Sequence, residues 1–176
     1  MSDELILVDI FDQEIGSGEK LWTHRNDRLH RAFSVFIVWE DQMLIQQRNF
    51  EKYHSGGLWA NACCSHPRAG ESLDLAVERR LEEELGIHAD AKELFSFVYR
   101  AEFPNGLTEY EYDHVFLAHY HGPVDPSPEE IAQVKWISLK DLQRDLLEHP
   151  ERYCAWFLIA APRVLAYLDA NENSIL

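Results

Sequence analysis

The sequence predicts an α/β fold built on a mixed central β-sheet, and three observations predict it. Short runs rich in β-branched and aromatic residues, such as Leu29 to Trp39, recur with turn signals between them. One charged stretch, Leu73 to Leu85, switches to helical period. The last quarter reads as two helices parted by His149-Pro150. With 176 residues, 46% hydrophobic and 12% aromatic, the chain has the material for one domain, 1–176, with a sizeable core.

Taken in order, Glu4 to Ile10 reads as a short apolar strand, and Phe11 to Glu19, with Gly16 and Gly18, as a turn-bearing connection. Lys20 and His24 follow, and His30 opens the strand Leu29 to Trp39, which pairs through Glu40-Asp41-Gln42 with Met43 to Gln47. Arg48 and Lys52 fall in a loop whose Gly56-Gly57 pair allows tight turning before a strand over Trp59 to Cys64. Alternation along an extended segment sends Cys64 and His66 to one face and Cys63 to the other. Only one of the two thiols then shares a site with His66.

After Gly70, Leu73, Val77, Leu81 and Leu85 make a single apolar stripe, and Gly86 is the expected stop. Ala89 to Lys92 reads as a connection and Leu94 to Phe103 as a strand carrying Tyr99. Pro104-Asn105-Gly106 predicts a hairpin into Leu107 to Tyr120, which places Glu109, Glu111 and Asp113 on one face and Tyr110 and Tyr112 on the other. His121 to Glu130 is a Pro-rich loop, and Val134 to Ile137 a strand. Ser138, with Asp141 three residues on, starts a helix through about Leu147. The final helix runs from about Tyr153 to Asp169, carries Trp156, and has Pro162 placed to kink or divide it.

A formal net charge of -15 repels nucleic acid and anionic membranes, so an anionic ligand must be met locally by cations or metal. Three cysteines, Cys63, Cys64 and Cys154, make no paired framework and suit a reducing compartment. The amino terminus lacks a basic segment before its apolar residues, and no run approaches the roughly 20 apolar residues of a membrane span. The terminal S-I-L lacks the lysine of the peroxisomal address. A soluble, cytoplasmic protein is the expectation, with the oligomeric state open and a monomer compatible.

His24, His30 and His66 offer imidazole, and Glu109 and Glu111 offer oxygen. That mixed set has too many ligands for a tetrahedral structural zinc and suits six-coordinate manganese, iron or magnesium-like geometry, or an unusual zinc. Glu84, a lone carboxylate beside a possible diphosphate, suits Mg2+, which prefers phosphates and waters to an all-protein cage.

The spacing Glu71, seven residues, Arg79, then Glu83-Glu84-Leu85-Gly86-Ile87 resembles the Nudix box, a loop-helix-loop whose glutamates hold metal on a diphosphate. Ser65 stands where that box begins with glycine, and Arg80 where it has a further glutamate. Losing that carboxylate argues against hydrolysis while leaving the fold, an α/β/α sandwich, as the expectation. The segments H-R-N-D-R-L-H-R-A-F-S, W-A-N-A-C-C-S-H-P and T-E-Y-E-Y carry a closer resemblance, over about Lys20 to Trp156, to the type 1 isopentenyl diphosphate isomerases.

That resemblance implies that His24, His30, His66, Glu109 and Glu111 hold a first divalent metal, Mn2+ or Zn2+, and that Glu84 holds Mg2+ with the substrate diphosphate. It aligns Lys20, Arg48, Lys52 and Arg80 with positions facing the diphosphate, Cys64 and Glu111 with the two acid/base residues, and Tyr99 and Trp156 with aromatics at the reacting end. The implied partner is a small isoprenyl diphosphate. Competing readings are a Nudix hydrolase of nucleoside or coenzyme diphosphates, and a non-catalytic metal or ligand module with a redox thiol pair.

Overall fold

A computed structural model describes residues 3 to 172; the S-I-L tripeptide lies outside the described residues. Its central strand is β3 (His30–Trp39), whose burial is nearly continuous, as a strand covered on both faces requires. β1 (Leu5–Val8) and β2 (Glu14–Gly18) form an antiparallel pair before it, and α1 (Lys20–Arg25) intervenes. β4 (Gln42–Arg48), β5 (Trp59–Asn61) and β6 (Cys63–Ser65) follow. Then come α2 (Leu73–Leu85), β7 (Ala91–Glu102), β8 (Thr108–His119), β9 (Ile131–Ser138), α3 (Leu139–Glu148) and α4 (Ala155–Glu172).

The sheet is mixed because β3 runs parallel to β8 and antiparallel to β4 and β6. β7 pairs with β8, and β9 with β4. Alternation along β3 feeds two cores. Phe33, Val35 and Ile37 pack with Cys63 and with Val77, Leu81 and Leu85 of α2. Phe36 and Val38 pack on the opposite side with Leu142 of α3 and Phe157, Ala160 and Val164 of α4. Helices therefore cover both faces, giving the expected sandwich.

α2 stops at Gly86, as the sequence predicts, and its start is capped by Ser72. The Ser72 hydroxyl accepts from the Leu75 N–H, and Gly86 closes the helix at φ 64°, a left-handed value that glycine adopts without a Cβ penalty. Ser138 caps α3 in the same way, accepting from the Asp141 N–H.

Several boundaries differ from the expectations. Phe11 to Glu19 is not only a connection: β2 lies within it, an exposed edge strand whose Glu-Ile-Gly-Ser-Gly composition reads as a turn because almost none of it is buried. His24 sits on α1, a six-residue helix too short to show a period, capped by the Glu19 carboxylate on the Leu21 and Trp22 N–H groups. The predicted strand Trp59 to Cys64 divides at Ala62, where the Asn61 amide turns back to donate to the carbonyls of Cys63 and Val35 at 2.7 and 3.2 Å. β7 begins at Ala91, inside the predicted connection, and β9 extends beyond Val134–Ile137 at both ends. Pro162 lies within α4, which runs through it undivided.

The loop before α2 is tied to the helix by charge. Arg79 donates through Nε and Nη2 to both oxygens of Glu71, at 2.7 and 2.9 Å, and Glu71 also accepts from the Arg68 N–H at 2.9 Å. The Arg79 bonds first, opposed by partial burial and aided by the Arg68 N–H, hold the Glu71 carboxyl below the usual carboxylate range. A carboxyl depressed in the folded state adds stability above its unfolded value and loses it as pH falls through the folded one. Glu71→Ala should therefore lower unfolding free energy by about 2 kcal/mol at neutral pH, and the gap between variant and parent should shrink as urea titrations move from pH 7 to below about 4.

Candidate active site

Strand register assembles the site. His30 on β3 lies opposite Glu111 on β8, and Glu111 lies opposite Tyr99 on β7, so three side chains from three adjacent strands meet on one face. On the other side of β3, Cys64 of β6 lies opposite Ser34, whose hydroxyl donates to Asp113 at 2.8 Å. A cleft opens over this face, and Cys64, His66, Tyr99, Glu111 and Trp156 all line it. Cys63 points the opposite way, fully buried against α2. β6 is extended, so parity separates the two thiols as the sequence predicts.

The imidazoles converge. Ligand atoms of His24, His30, His66 and Glu109 lie within 4.8 Å of one another. His24 and His30 turn Nδ1 to the carbonyls of Lys20 and Arg28, at 2.6 and 2.9 Å. A carbonyl only accepts, so each Nδ1 carries hydrogen, and a neutral ring then aims a bare Nε2 inward. Such backbone anchoring is how metal-ligating histidines are oriented. His30 Nε2 stands 3.2 Å from His66 Nε2, and Glu109 Oε2 is buried without a hydrogen-bond partner among the described residues. Imidazole nitrogens this close together and an orphaned carboxylate oxygen fit a divalent cation. Glu111 lies at the border of this group, its Oε2 3.1 Å from His66 Nε2.

Burial lowers His30 to about 4, and burial with His30 alongside lowers His66 well below its ordinary value, so both rings are neutral as ligands must be. His24 differs: burial would lower it, but Glu109, 3.0 Å from Nε2, raises it overall. A bound cation would displace that proton.

Acid/base character divides between the neighbouring carboxylates. Burial first and the charge of Glu109 second push Glu111 well above the usual range, so it keeps its proton; the Tyr99 hydroxyl donates to it. Glu109 is held low against burial by Glu111 and by His24 and His54. Burial also raises the Cys64 thiol, and the Arg48 guanidinium works against that rise. Trp156 is fixed by its indole N–H, which donates to Asn61 at 3.0 Å, and Arg48 stands 5.2 Å above its ring.

Lys20, Arg48, Lys52 and Arg80 line the same cleft, a local concentration of positive charge on an acidic chain. Glu84 is not among the residues lining it; it is buried behind Arg80, which donates to it and to Glu83. Reasoning on sequence missed His54 and Glu130. Glu130 pairs with Lys52 and lies 3.5 Å from Arg80. His54 reaches Glu109 at 2.5 Å across 55 residues of chain. Neither lies in a periodic segment; position within T-E-Y-E-Y-type motifs marked the residues that were found.

A family model for the NUDIX domain matches residues 28–157. Isopentenyl-diphosphate Delta-isomerase 1 of Aromatoleum aromaticum is 47% identical over 176 residues, covering 99% of each chain. This chain belongs to the isopentenyl-diphosphate delta-isomerase family. The family member from Serratia proteamaculans is 43% identical over 173 residues, with 98% of this chain and 94% of that one covered. Among solved structures, DR0079 of Deinococcus radiodurans superposes with a TM-score of 0.76, over 91% of this chain and 98% of that one, at 19% identity. Low identity makes that likeness one of fold. The isomerase family and the sandwich expected from the Nudix-like box are thus both borne out, and among the described residues no helix is long and apolar enough to cross a membrane.

Cation binding should appear as thermal stabilisation. With Mn2+ or Zn2+ at a hundredfold excess over its Kd, the unfolding free energy should rise by about 2.7 kcal/mol, and His66→Ala should abolish most of that gain. An unchanged melting midpoint in the parent protein would contradict the donor set.

Proposed function

We propose that the chain interconverts isopentenyl diphosphate and dimethylallyl diphosphate by adding a proton to one carbon and removing one from another. The observation that carries this is the meeting of Cys64, Glu111 and Trp156 in one cleft that Lys20, Arg48, Lys52 and Arg80 also line. An unactivated alkene is a very weak base, so it needs a positioned acid and a pocket that tolerates a tertiary cation.

Glu111, protonated by virtue of its burial, gives its proton to the terminal alkene carbon. The Tyr99 hydroxyl, already donating to that carboxyl, steadies the charge left behind. The face of Trp156 stabilises the tertiary carbocation, an interaction worth about 2 kcal/mol when desolvated. Cys64 takes the proton from the adjacent methylene once its thiol has ionised; burial raises that thiol and the Arg48 guanidinium works against the rise. In the reverse direction the two exchange roles. Lys20, Arg48, Lys52 and Arg80 hold the diphosphate, with Glu130 yielding Lys52 and Arg80 to it.

His24, His30, His66 and Glu109, with Glu111 at their border, would hold Mn2+ or Zn2+, supplying fixed positive charge beside buried carboxylates; Glu84, expected to hold Mg2+, does not line the cleft and is engaged by Arg80. The Nudix hydrolase alternative is disfavoured by Arg80, which occupies a carboxylate position of the box helix and donates to the glutamates that remain.

Proton NMR of isopentenyl diphosphate incubated with the protein should show the double bond move without release of phosphate or pyrophosphate. Cys64→Ala should lower that rate by about 10²- to 10⁴-fold, the usual worth of a general acid or base, while Cys63→Ala keeps most of it. Equal losses, or phosphate release without isomerisation, would sink the assignment.

A further inference from the structure

His54 is a buried imidazole for which the reaction outlined above has no use. It sits in Tyr53-His54-Ser55-Gly56-Gly57, a loop built at some conformational cost. Ser55 adopts φ 54° and Gly57 φ 79°, and a Cβ on Gly56 would stand 2.6 Å from the Phe50 carbonyl oxygen. Strained backbone of this kind persists where the surroundings over-determine it, and such positions cluster at functional sites. Here the loop delivers one ring. His54 stacks on Phe103 at 4.4 Å, meets Trp156 edge-on at 6.3 Å, and is 7% exposed.

Its two nitrogens have different partners. Nδ1 stands 3.1 Å from the Ser55 hydroxyl, which is able to donate to it, and Nε2 stands 2.5 Å from Glu109 Oε1. A carboxylate only accepts, so Nε2 carries the hydrogen. The same Glu109 oxygen lies 3.0 Å from His24 Nε2. His24 commits its Nδ1 hydrogen to the Lys20 carbonyl, so once its Nε2 lone pair is given to a cation it has no hydrogen left for Glu109. His54 keeps its own, because its ligand atom falls outside the converging group of His24, His30, His66 and Glu109.

We infer that His54 is a positioning residue: it donates Nε2–H to Glu109 Oε1 and so holds that carboxylate beside the imidazole cluster. The inference rests on the reading of His24, His30, His66 and Glu109 as a cation site. Phe103 and Trp156 fix the ring, the ring fixes the carboxylate, and the carboxylate completes the donor set. His54 thus links the aromatic wall of the cleft to its metal-binding floor.

Zn2+ affinity, measured by competition with a chromogenic chelator, tests this. His54→Phe retains an aromatic ring on Phe103 but lacks the donor, whereas His54→Gln keeps an N–H near the Nε2 position. His54→Phe should weaken Zn2+ binding by about 10- to 100-fold, and His54→Gln by no more than about threefold, the scale of effect seen when partners of metal ligands are lost or kept. Unchanged affinity in His54→Phe, or equal losses in both variants, would overturn the inference. Failure of the parent protein to bind Zn2+ would instead overturn the cation site beneath it.

A measurement on the unmutated protein covers the case in which His54→Phe does not fold. Nitrogen-15 NMR of the Zn2+-loaded chain should find His54 as the Nε2–H tautomer while His24 and His30 bear hydrogen on Nδ1. A His54 ring with hydrogen only on Nδ1, or with Nε2 bound to zinc, would refute the proposal.

Discussion

Two carboxylates two residues apart on one strand face, both nearly excluded from water, set the problem that the rest of the cleft solves. Glu109 and Glu111 are 3% and 7% exposed. Buried side by side, they cannot both be charged without compensation, since desolvating an unpaired carboxylate costs several kcal/mol. The protein divides the burden. Glu109, beside His24 and His54, is held below the usual carboxylate range, while burial and the charge of Glu109 push Glu111, between Tyr99 and His66, above it. One pair of like residues thus takes opposite shifts. Environment, not residue type, makes the difference.

The same logic operates on a larger scale. A chain with a net charge of -15 should repel a diphosphate, yet four cations gather in one cleft, where Glu130 meets Lys52 and Arg80 while Glu84 backs Arg80 from outside it. Long-range field and local chemistry have opposite signs. Arg80 stands at the crossing point: on the helix where a hydrolase carries a carboxylate, it faces the cleft and neutralises the acidic surface behind it. Burial opposes its charge, and Glu84 beside it restores that charge.

Much of this was legible in the residues themselves. The α2 stripe, its Gly86 stop, the β7–β8 hairpin and the opposed faces of Cys63 and Cys64 follow from period and turn chemistry, which are local properties. What could not be read is what the fold brings together without a local signature. β2 is an exposed edge with turn-like composition, α1 is shorter than two helical turns, and the break at Ala62 is made by the Asn61 side chain reaching two backbone carbonyls. His54 belongs to a glycine-rich loop and acquires its meaning only when β8 passes beside it. Resemblance to a family supplied the ligand roles; spacing alone left those histidines as ordinary polar groups at strand ends.

The pleat that parts Cys63 from Cys64 also partitions their chemistry with the outside world. A peroxide or an alkylating agent entering through the cleft encounters a single sulfur, the one at 64, while its neighbour is sealed under α2. A bridge between adjacent thiols would require the strand to turn one of them inside out, so damage at this site stops at one atom instead of spreading into a vicinal disulfide.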